Sequence, residues 1–213
     1  MDKADMLLAF SVPFLETDED TWETYCSPAS WFEALDTLDA LLDVTRADFS
    51  PDIRRVLDYP PCYAVHRAFA ARTFTGGLPT SAMPVVSLYV DEDASISPVS
   101  AGASYLQQTA YYMRDMTKVL GVVIPKRYRS MPDHLAVELI VGAILLKAAE
   151  SPDASSADVK ACEAAAGDYL ANRFVWLNRY ERRLSAIPDI PAFYPVLVSA
   201  VRVAVQAMAV NLA

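Results

Sequence analysis

The chain has 213 residues, enough for one sizeable hydrophobic core, and no break in composition divides it, so we predict a single domain over residues 1–213. Hydrophobic residues make up 54% of the chain and only six residues are glycine, which favours packed helices over a turn-rich β architecture or a disordered chain. The net charge of −9 repels phosphate backbones, so no nucleic-acid partner is expected and a basic partner would be attracted instead.

Five helices are predicted in the first part of the chain, over residues 4–15, 19–25, 28–44, 51–57 and 61–74. Proline or serine stands near several of their starts, where the fixed backbone angle of proline suits a first helical turn. The apolar run at the start of the chain has no clear positive region before it and is followed by acidic residues, so it is not a convincing signal peptide.

The helical periodicity disappears between residues 75 and 98. Gly76, Gly77, Pro79, Pro84 and Pro98 disfavour regular helix there, and we predict a long extended loop. Loops of this length inside compact domains usually have a function or are mobile.

In the second part, apolar residues recur in steps of three and four, which predicts helices over residues 100–120, 158–184 and 193–213, and a very apolar helix is predicted to start at Pro132 and Asp133 and to continue to residue 146. The last of these is long enough to cross a membrane, but Arg202 and Gln206 interrupt it. We therefore interpret it as a core helix and expect no stable membrane insertion. The predicted fold is all-α, a bundle of about eight to ten helices.

Cys26, Cys62 and Cys162 are far apart and include no CxxC pair. This spacing argues against a disulfide framework and against a thiolate zinc site. It fits a reducing compartment, so we predict a cytoplasmic protein.

Residues 131–139, MPDHLAVEL, place one of the two histidines at the start of a very apolar helix. Pro132 is preorganised for a first helical turn, and Asp133 would face unpaired backbone N–H groups at the positive end of the helix dipole. We therefore predict that Asp133 is the helix-start residue. An imidazole adds little to capping, so we expect His134 to lie at the exposed helix end and to have a functional role.

His134 and Glu138 are four residues apart and share a helix face, which resembles half of a metal site. Only His66 is left to complete it, so neither a metal nor another cofactor is expected, and Glu138 would more often be a satisfied polar group, bonded for example to His134. Asp133 and His134 point about 100 degrees apart on a helix and would not simply pair as an acid–base dyad. The chain also has no phosphate-binding loop and no nucleophile elbow, so we predict that it is not an enzyme.

The MPDHLAVEL segment resembles the signature of the TorD/DmsD/NarJ family, the cytoplasmic chaperones that assist the maturation of molybdenum-containing redox enzymes. The matching positions are Pro132, Asp133, His134, Glu138 and Leu139. Upstream, residues 74–93 are similar to the family's glycine- and proline-rich loop, which ends in Ser-x-Tyr, here Ser87 and Tyr89. Downstream, residues 169–184 resemble the family helix that carries a tryptophan, here Trp176. The order and spacing of these motifs fit the family across residues 61–184.

The resemblance implies an all-helical chaperone that binds the N-terminal leader or tail of the catalytic subunit of a molybdenum-cofactor oxidoreductase. In the secreted branches the leader carries twin arginines, and the chaperone withholds the enzyme from export until its cofactor is inserted. The same resemblance assigns residues that form or support the peptide site: Pro84, Ser87, Tyr89, Pro132, Asp133, His134 and Glu138. A monomer is the simpler expectation, with a domain-swapped dimer as the other possibility.

Two other functions remain open. One is a nucleotide-binding or nucleotide-hydrolysing helical enzyme, because guanine nucleotide binding has been suggested within the resembling family, although the missing phosphate loop argues against it. The other is a helical adaptor for an unrelated basic partner, which the acidic surface would equally attract.

Overall fold

The computed structural model describes residues 1–76, 78–89, 101–150 and 156–212, of which residues 101–107 and 156 are described without their side chains. Regular structure in this part of the chain is helical, which confirms the predicted all-α class. The helices are α1 (Lys3–Ser11), α2 (Glu19–Cys26), α3 (Pro28–Thr45), α4 (Pro51–Arg54), α5 (Tyr63–Thr73), α6 (Ala101–Val119), α7 (Leu135–Ala149), α8 (Ser156–Arg173), α9 (Leu177–Ser185) and α10 (Phe193–Leu212). Short 3₁₀ turns lie at Val12–Phe14, Arg55–Asp58, Val86–Leu88 and Lys126–Tyr128.

Acidic side chains define the starts of the first two helices. Asp2 accepts a hydrogen bond from the N–H of Asp5 at 2.7 Å, and Asp18 accepts one from the N–H of Thr21 at 2.8 Å. Each aspartate therefore satisfies a backbone donor that has no partner inside its helix. Helices α3 and α4 instead begin with proline, as the sequence predicts.

The apolar helix α7 is largely buried and packs mainly against α1 and α8. Gly142, in the middle of α7, faces Leu170 of α8 and Leu7 of α1, and a Cβ atom there would lie in ordinary van der Waals contact with both, at 3.4 and 3.5 Å. One hydrophobic cluster continues from α1 through α7 to α10. The two ends of the described chain therefore contribute to the same core.

Helix α10 is, within the described residues, the helix that is long and apolar enough to cross a membrane. In the fold it packs against α3, α8 and α9, and 61% of its apolar window is buried inside the protein. Gln206 is exposed, and Arg202 lies near Glu181, with 3.8 Å between Arg202 Nε and a Glu181 carboxylate oxygen. This agrees with a core helix whose polar residues lie beside its buried stripe.

The predicted helix over residues 158–184 is two helices in the structure, so that prediction was wrong. Helix α8 ends at Arg173 and α9 begins at Leu177. Phe174 and Trp176 are both buried, although in a continuous helix they would project about 200 degrees apart. The turn between the helices brings both rings into the core, and the Leu177 N–H closes it on the Phe174 carbonyl at 3.2 Å.

The predicted loop at residues 75–98 is irregular where the structure describes it, apart from the turn at Val86–Leu88. Residues 77 and 90–98 of that loop lie outside the described residues. We call residues 78–89 the strap. It contacts the start of α7 and the helix α9.

Candidate functional site

The strap is joined to the start of α7 through the backbone. Val85 and His134 face each other as an isolated antiparallel pair. The Leu135 N–H donates to the Pro84 carbonyl at 2.7 Å, and the Val86 N–H donates to the Asp133 carbonyl at 3.1 Å. The two segments that the sequence singles out separately are therefore one structural unit.

The capping role predicted for Asp133 belongs to His134. His134 is the N-cap of α7, with its Nδ1 accepting from the Ala136 N–H at 3.3 Å, whereas Asp133 accepts from the Ser87 N–H of the strap at 3.0 Å. The prediction that Asp133 starts the helix was wrong, because the strap supplies that carboxylate with a donor from outside the helix. His134 is then the residue that lies beside the free N–H groups of α7.

His134 is also not at an exposed end, as the sequence suggested, because 3% of its surface is accessible. Its ring lies against the Tyr128 ring, with 4.7 Å between centroids. Burial lowers the pKa of His134 to about 3, so the imidazole is neutral near pH 7 and its Nδ1 is free to accept the capping bond.

Glu138 is fully buried, and its carboxylate points to the junction of α8 and α9. One oxygen pairs with Arg173 Nη2 at 2.5 Å, and the other accepts from Trp176 Nε1 at 3.2 Å. The predicted bond between the Glu138 side chain and His134 was wrong, because His134 and Glu138 meet only through the helical backbone bond. Burial raises the pKa of Glu138, while the bonds from Arg173 and Trp176 oppose that rise.

Tyr89, at the end of the strap, contacts Trp176 and the helix α9. Its ring stacks on Trp176, with 5.5 Å between centroids, and contacts Tyr180 at 5.3 Å. Arg179 donates to the Tyr89 carbonyl at 2.8 Å. Trp176 thus lies between the Glu138 carboxylate and the Tyr89 ring.

A second arginine of α9 holds the other end of the strap. Arg183 donates to the Ser81 carbonyl at 2.8 Å and to the Pro79 carbonyl at 2.6 Å. Because Arg179 and Arg183 bind main-chain carbonyls, they fix the path of the strap without depending on its side chains.

The structure brings all of the residues predicted for the site into this one region. Pro84, Pro132, Asp133, His134 and Glu138 are buried, while Ser87 and Tyr89 are half-buried. The buried members form a frame that supports a surface. Direct contact with a large partner needs side chains that remain accessible.

Accessible apolar side chains do lie beside this frame. Leu88 of the strap is 59% exposed, and Val175 in the turn between α8 and α9 is 64% exposed. Tyr112 of α6 is 44% exposed, and its ring lies 5.0 Å from the Arg173 guanidinium. Sequence reasoning missed Leu88, Tyr112, Arg173 and Val175. The sequence motifs included only their neighbours Tyr89 and Trp176.

This arrangement combines engaged polar groups with accessible apolar ones. The polar groups at its centre are engaged with one another, and its accessible part is apolar. Across the part of the chain that the structure describes, no group of three His, Cys, Asp or Glu side chains is placed to hold a metal ion. The region therefore combines a buried polar network with exposed apolar side chains next to it.

Comparison with known proteins places these segments in a family. The family "nitrate reductase delta subunit" matches residues 52–179. That range includes the described strap, the Pro132–His134 turn, Glu138 and Trp176. Neither the curated proteins nor the solved structures give a match.

The matched range covers more than half of the chain and agrees with the resemblance noted across residues 61–184. The match does not specify the TorD or DmsD branch. The family consists of non-catalytic proteins that act as redox-enzyme maturation chaperones. The chain belongs to the nitrate reductase delta subunit family of maturation chaperones.

Proposed function

We propose that the protein binds the N-terminal leader or tail of the catalytic subunit of a molybdenum-cofactor oxidoreductase, of the nitrate reductase type, and holds it until the cofactor is inserted. Such binding would also withhold the enzyme from assembly, or from export where the leader carries twin arginines. The observation that carries this proposal is the family match over residues 52–179, which contains the segments that meet at the site.

The accessible patch formed by Leu88, Tyr112 and Val175 is the proposed contact surface for the peptide. Its side chains come from the strap, from α6 and from the α8–α9 turn. Exposed apolar groups favour an amphipathic segment, which buries its own apolar side chains on binding. Asp133, His134 and Glu138 would keep the strap and Trp176 in position beneath this patch.

The charge of the protein supports the same kind of partner. A net charge of −9 attracts a basic peptide and accelerates its encounter with the protein. We further propose that the protein acts in the cytoplasm, as a monomer, before the client folds around its cofactor. Size-exclusion chromatography with light scattering would detect a domain-swapped dimer instead.

Isothermal titration tests the proposal. The probes are synthetic peptides that correspond to the N-terminal segments of nitrate reductase catalytic subunits from the organism that encodes the chain. The Leu88→Ser/Val175→Ser variant should weaken binding by about 10-fold or more, because two apolar side chains lose their contact. Val119→Ser/Val123→Ser is the matched control, since these valines are exposed elsewhere and should leave affinity unchanged.

Variants of the frame distinguish support from direct contact. Asp133→Ala removes the acceptor of the Ser87 N–H and should weaken peptide binding by loosening the strap. His134→Ala removes the cap of α7 and should act in the same way. If the wild-type protein binds none of these peptides, the proposed function is wrong. Addition of guanine nucleotides in the same titrations tests the alternative of a nucleotide-binding protein.

A further inference from the structure

The net charge of the protein is concentrated in one part of the chain. Residues 1–60 contain fourteen of the 27 acidic residues and four of the 18 basic ones, so their net charge is −10. The remaining residues have a net charge of +1. The attraction for a cation is therefore a property of the α1–α4 part of the chain and not of the whole surface.

Helix α3 presents much of this charge. It contains Glu33, Asp36, Asp39 and Asp43 and no lysine or arginine. Its other face is apolar and packs into the core, through side chains such as Leu35 and Leu38. The helix therefore separates an acidic outer face from a buried apolar one.

A groove of about 620 Å³ lies where the end of α3 meets α4, and we call it the α3–α4 groove. Leu42 and Phe49 contribute apolar surface to its lining, and both pack on the hydrophobic core. Next to the lining residues, Val44 is 74% exposed and Ile53 is 45% exposed. A partner in this groove would thus meet apolar surface as well as charge.

The carboxylates that line the groove differ in their state of pairing. Arg54 binds Asp39 through two hydrogen bonds, at 2.9 and 2.8 Å, and also pairs with Asp58 at 2.6 Å, so its charge is already balanced. Asp43 and Asp48 are exposed and, within the described residues, make no hydrogen bond or ion pair through their side chains. Arg46 also lines the groove, and the two free carboxylates outnumber it.

The groove lies largely outside the part of the chain that matches the family. That match begins at residue 52, whereas α3 and residues 46–50 precede it. Of the groove residues, Arg54 lies inside the matched range and Asp43 and Asp48 lie before it.

We propose that the α3–α4 groove binds a cationic segment of the client peptide, with lysine or arginine side chains at Asp43 and Asp48 and an apolar side chain against Leu42 and Phe49. This inference rests on the proposed function and adds a second contact region to the patch at Leu88, Tyr112 and Val175. The groove supplies the charge that this apolar patch lacks. The two regions together would bind a peptide that has a basic part and an apolar part.

Isothermal titration at low and high salt tests the groove. The probes are the N-terminal nitrate reductase peptide that binds best and the same peptide with every lysine and arginine replaced by glutamine. For the basic peptide, Asp43→Asn/Asp48→Asn should raise Kd by about 5- to 10-fold at low salt and by less at high salt. The neutral peptide should bind the variant and the wild-type protein equally.

Glu150→Gln/Glu163→Gln is the matched control, because it removes two negative charges outside the groove. It should leave Kd within about 2-fold of the wild-type value. If Asp43→Asn/Asp48→Asn bound the basic peptide as tightly as the wild-type protein does, the proposal for the groove would be wrong. The proposed function would still stand. Equal losses in this variant and in the control would also overturn it, because net charge alone would then explain the effect. Failure of both peptides to bind the wild-type protein would overturn the proposed function and the groove together.

Discussion

The polar side chains at the start of α7 are buried, and each is bonded to a different part of the chain. Asp133 accepts from the strap, His134 caps α7 itself, and Glu138 pairs with Arg173 and Trp176. Such groups cost free energy when they are buried without partners, so the partners they have here determine how the strap, α7 and the α8–α9 turn fit together.

Replacement of Glu138 by glutamine should destabilise the protein by about 2–3 kcal/mol. The amide is nearly the same size as the carboxylate, but it leaves the Arg173 charge, whose side chain is 18% exposed, without a counter-ion. Urea unfolding at pH 8 measures the change. Arg127→Gln is the control, because its bridge to Glu16 is exposed on both sides and should contribute less than about 1 kcal/mol. Equal effects of the two variants would contradict the importance of the buried pair.

His134 should make stability depend on pH in the acidic range. Its pKa is lowered to about 3 in the folded protein and is near 6.5 in the unfolded chain, so between these values the unfolded state binds a proton that the folded state does not. The stability of the fold that depends on neutral His134 is therefore fully present above pH 6.5 and is lost as the pH falls. His134→Asn keeps a side-chain acceptor at the N-cap but does not titrate. From pH 7.5 to 5, the wild-type protein should lose about 2 kcal/mol more than this variant in urea unfolding. If the free energy of unfolding changed with pH equally in the two proteins, burial would not suppress the protonation of His134.

At the scale of elements, the strap is held mainly through its backbone. Arg179 and Arg183 bind its carbonyls from α9, and the start of α7 binds it through Pro84, Val86 and Ser87. Its path is therefore fixed at both ends, while exposed side chains such as Leu88 remain free to contact a partner.

Release of the strap from α9 should be visible in hydrogen exchange. In Arg179→Gln/Arg183→Gln, backbone amides of residues 78–89 should exchange about 10-fold faster. The strap can then open locally without first breaking hydrogen bonds to these two side chains of α9. Arg182→Gln is the control, since Arg182 donates to Asn178 within its own helix. Unchanged exchange of the strap in the double variant would show that contacts with α7 alone hold it.

The same element illustrates what the sequence could and could not predict. Apolar periodicity located most helices, because it reflects which face is buried. The break between α8 and α9 was not predicted, since residues 174–176 contain neither proline nor glycine. It arises from the burial of Phe174 and Trp176 together, which only the packed structure determines.

The candidate site shows the same division. The resemblance identified the segments that meet, but the partners of individual side chains come from distant parts of the chain. Glu138 and Arg173 are 35 positions apart, and Asp133 and Ser87 are 46 apart. A local pattern therefore assigned the cap to Asp133 and left Arg173 unnoticed.

At the scale of the whole molecule, the first and last helices belong to one packed core, in which α7 and α8 lie between them. Helix α7 packs against α1 and α8, and α8 in turn packs against α10. A core shared in this way predicts that residues 1–213 behave as a single cooperative domain.

Unfolding in urea tests this cooperativity with tryptophans placed in different regions. Trp22 and Trp31 lie in α2 and α3, whereas Trp176 lies between α8 and α9. We expect Trp176→Phe and Trp22→Phe/Trp31→Phe each to show the same midpoint by fluorescence and by far-UV circular dichroism. A fluorescence midpoint that differs from the circular dichroism midpoint within either variant would indicate two domains.

The position of α10 has a consequence for biosynthesis. During translation, α3, α8 and α9 leave the ribosome before α10. Each of them carries apolar surface that α10 covers in the folded protein. The nascent chain must therefore keep this surface exposed until α10 emerges. This member of a chaperone family thus itself passes through a stage of synthesis in which exposed apolar surface favours aggregation.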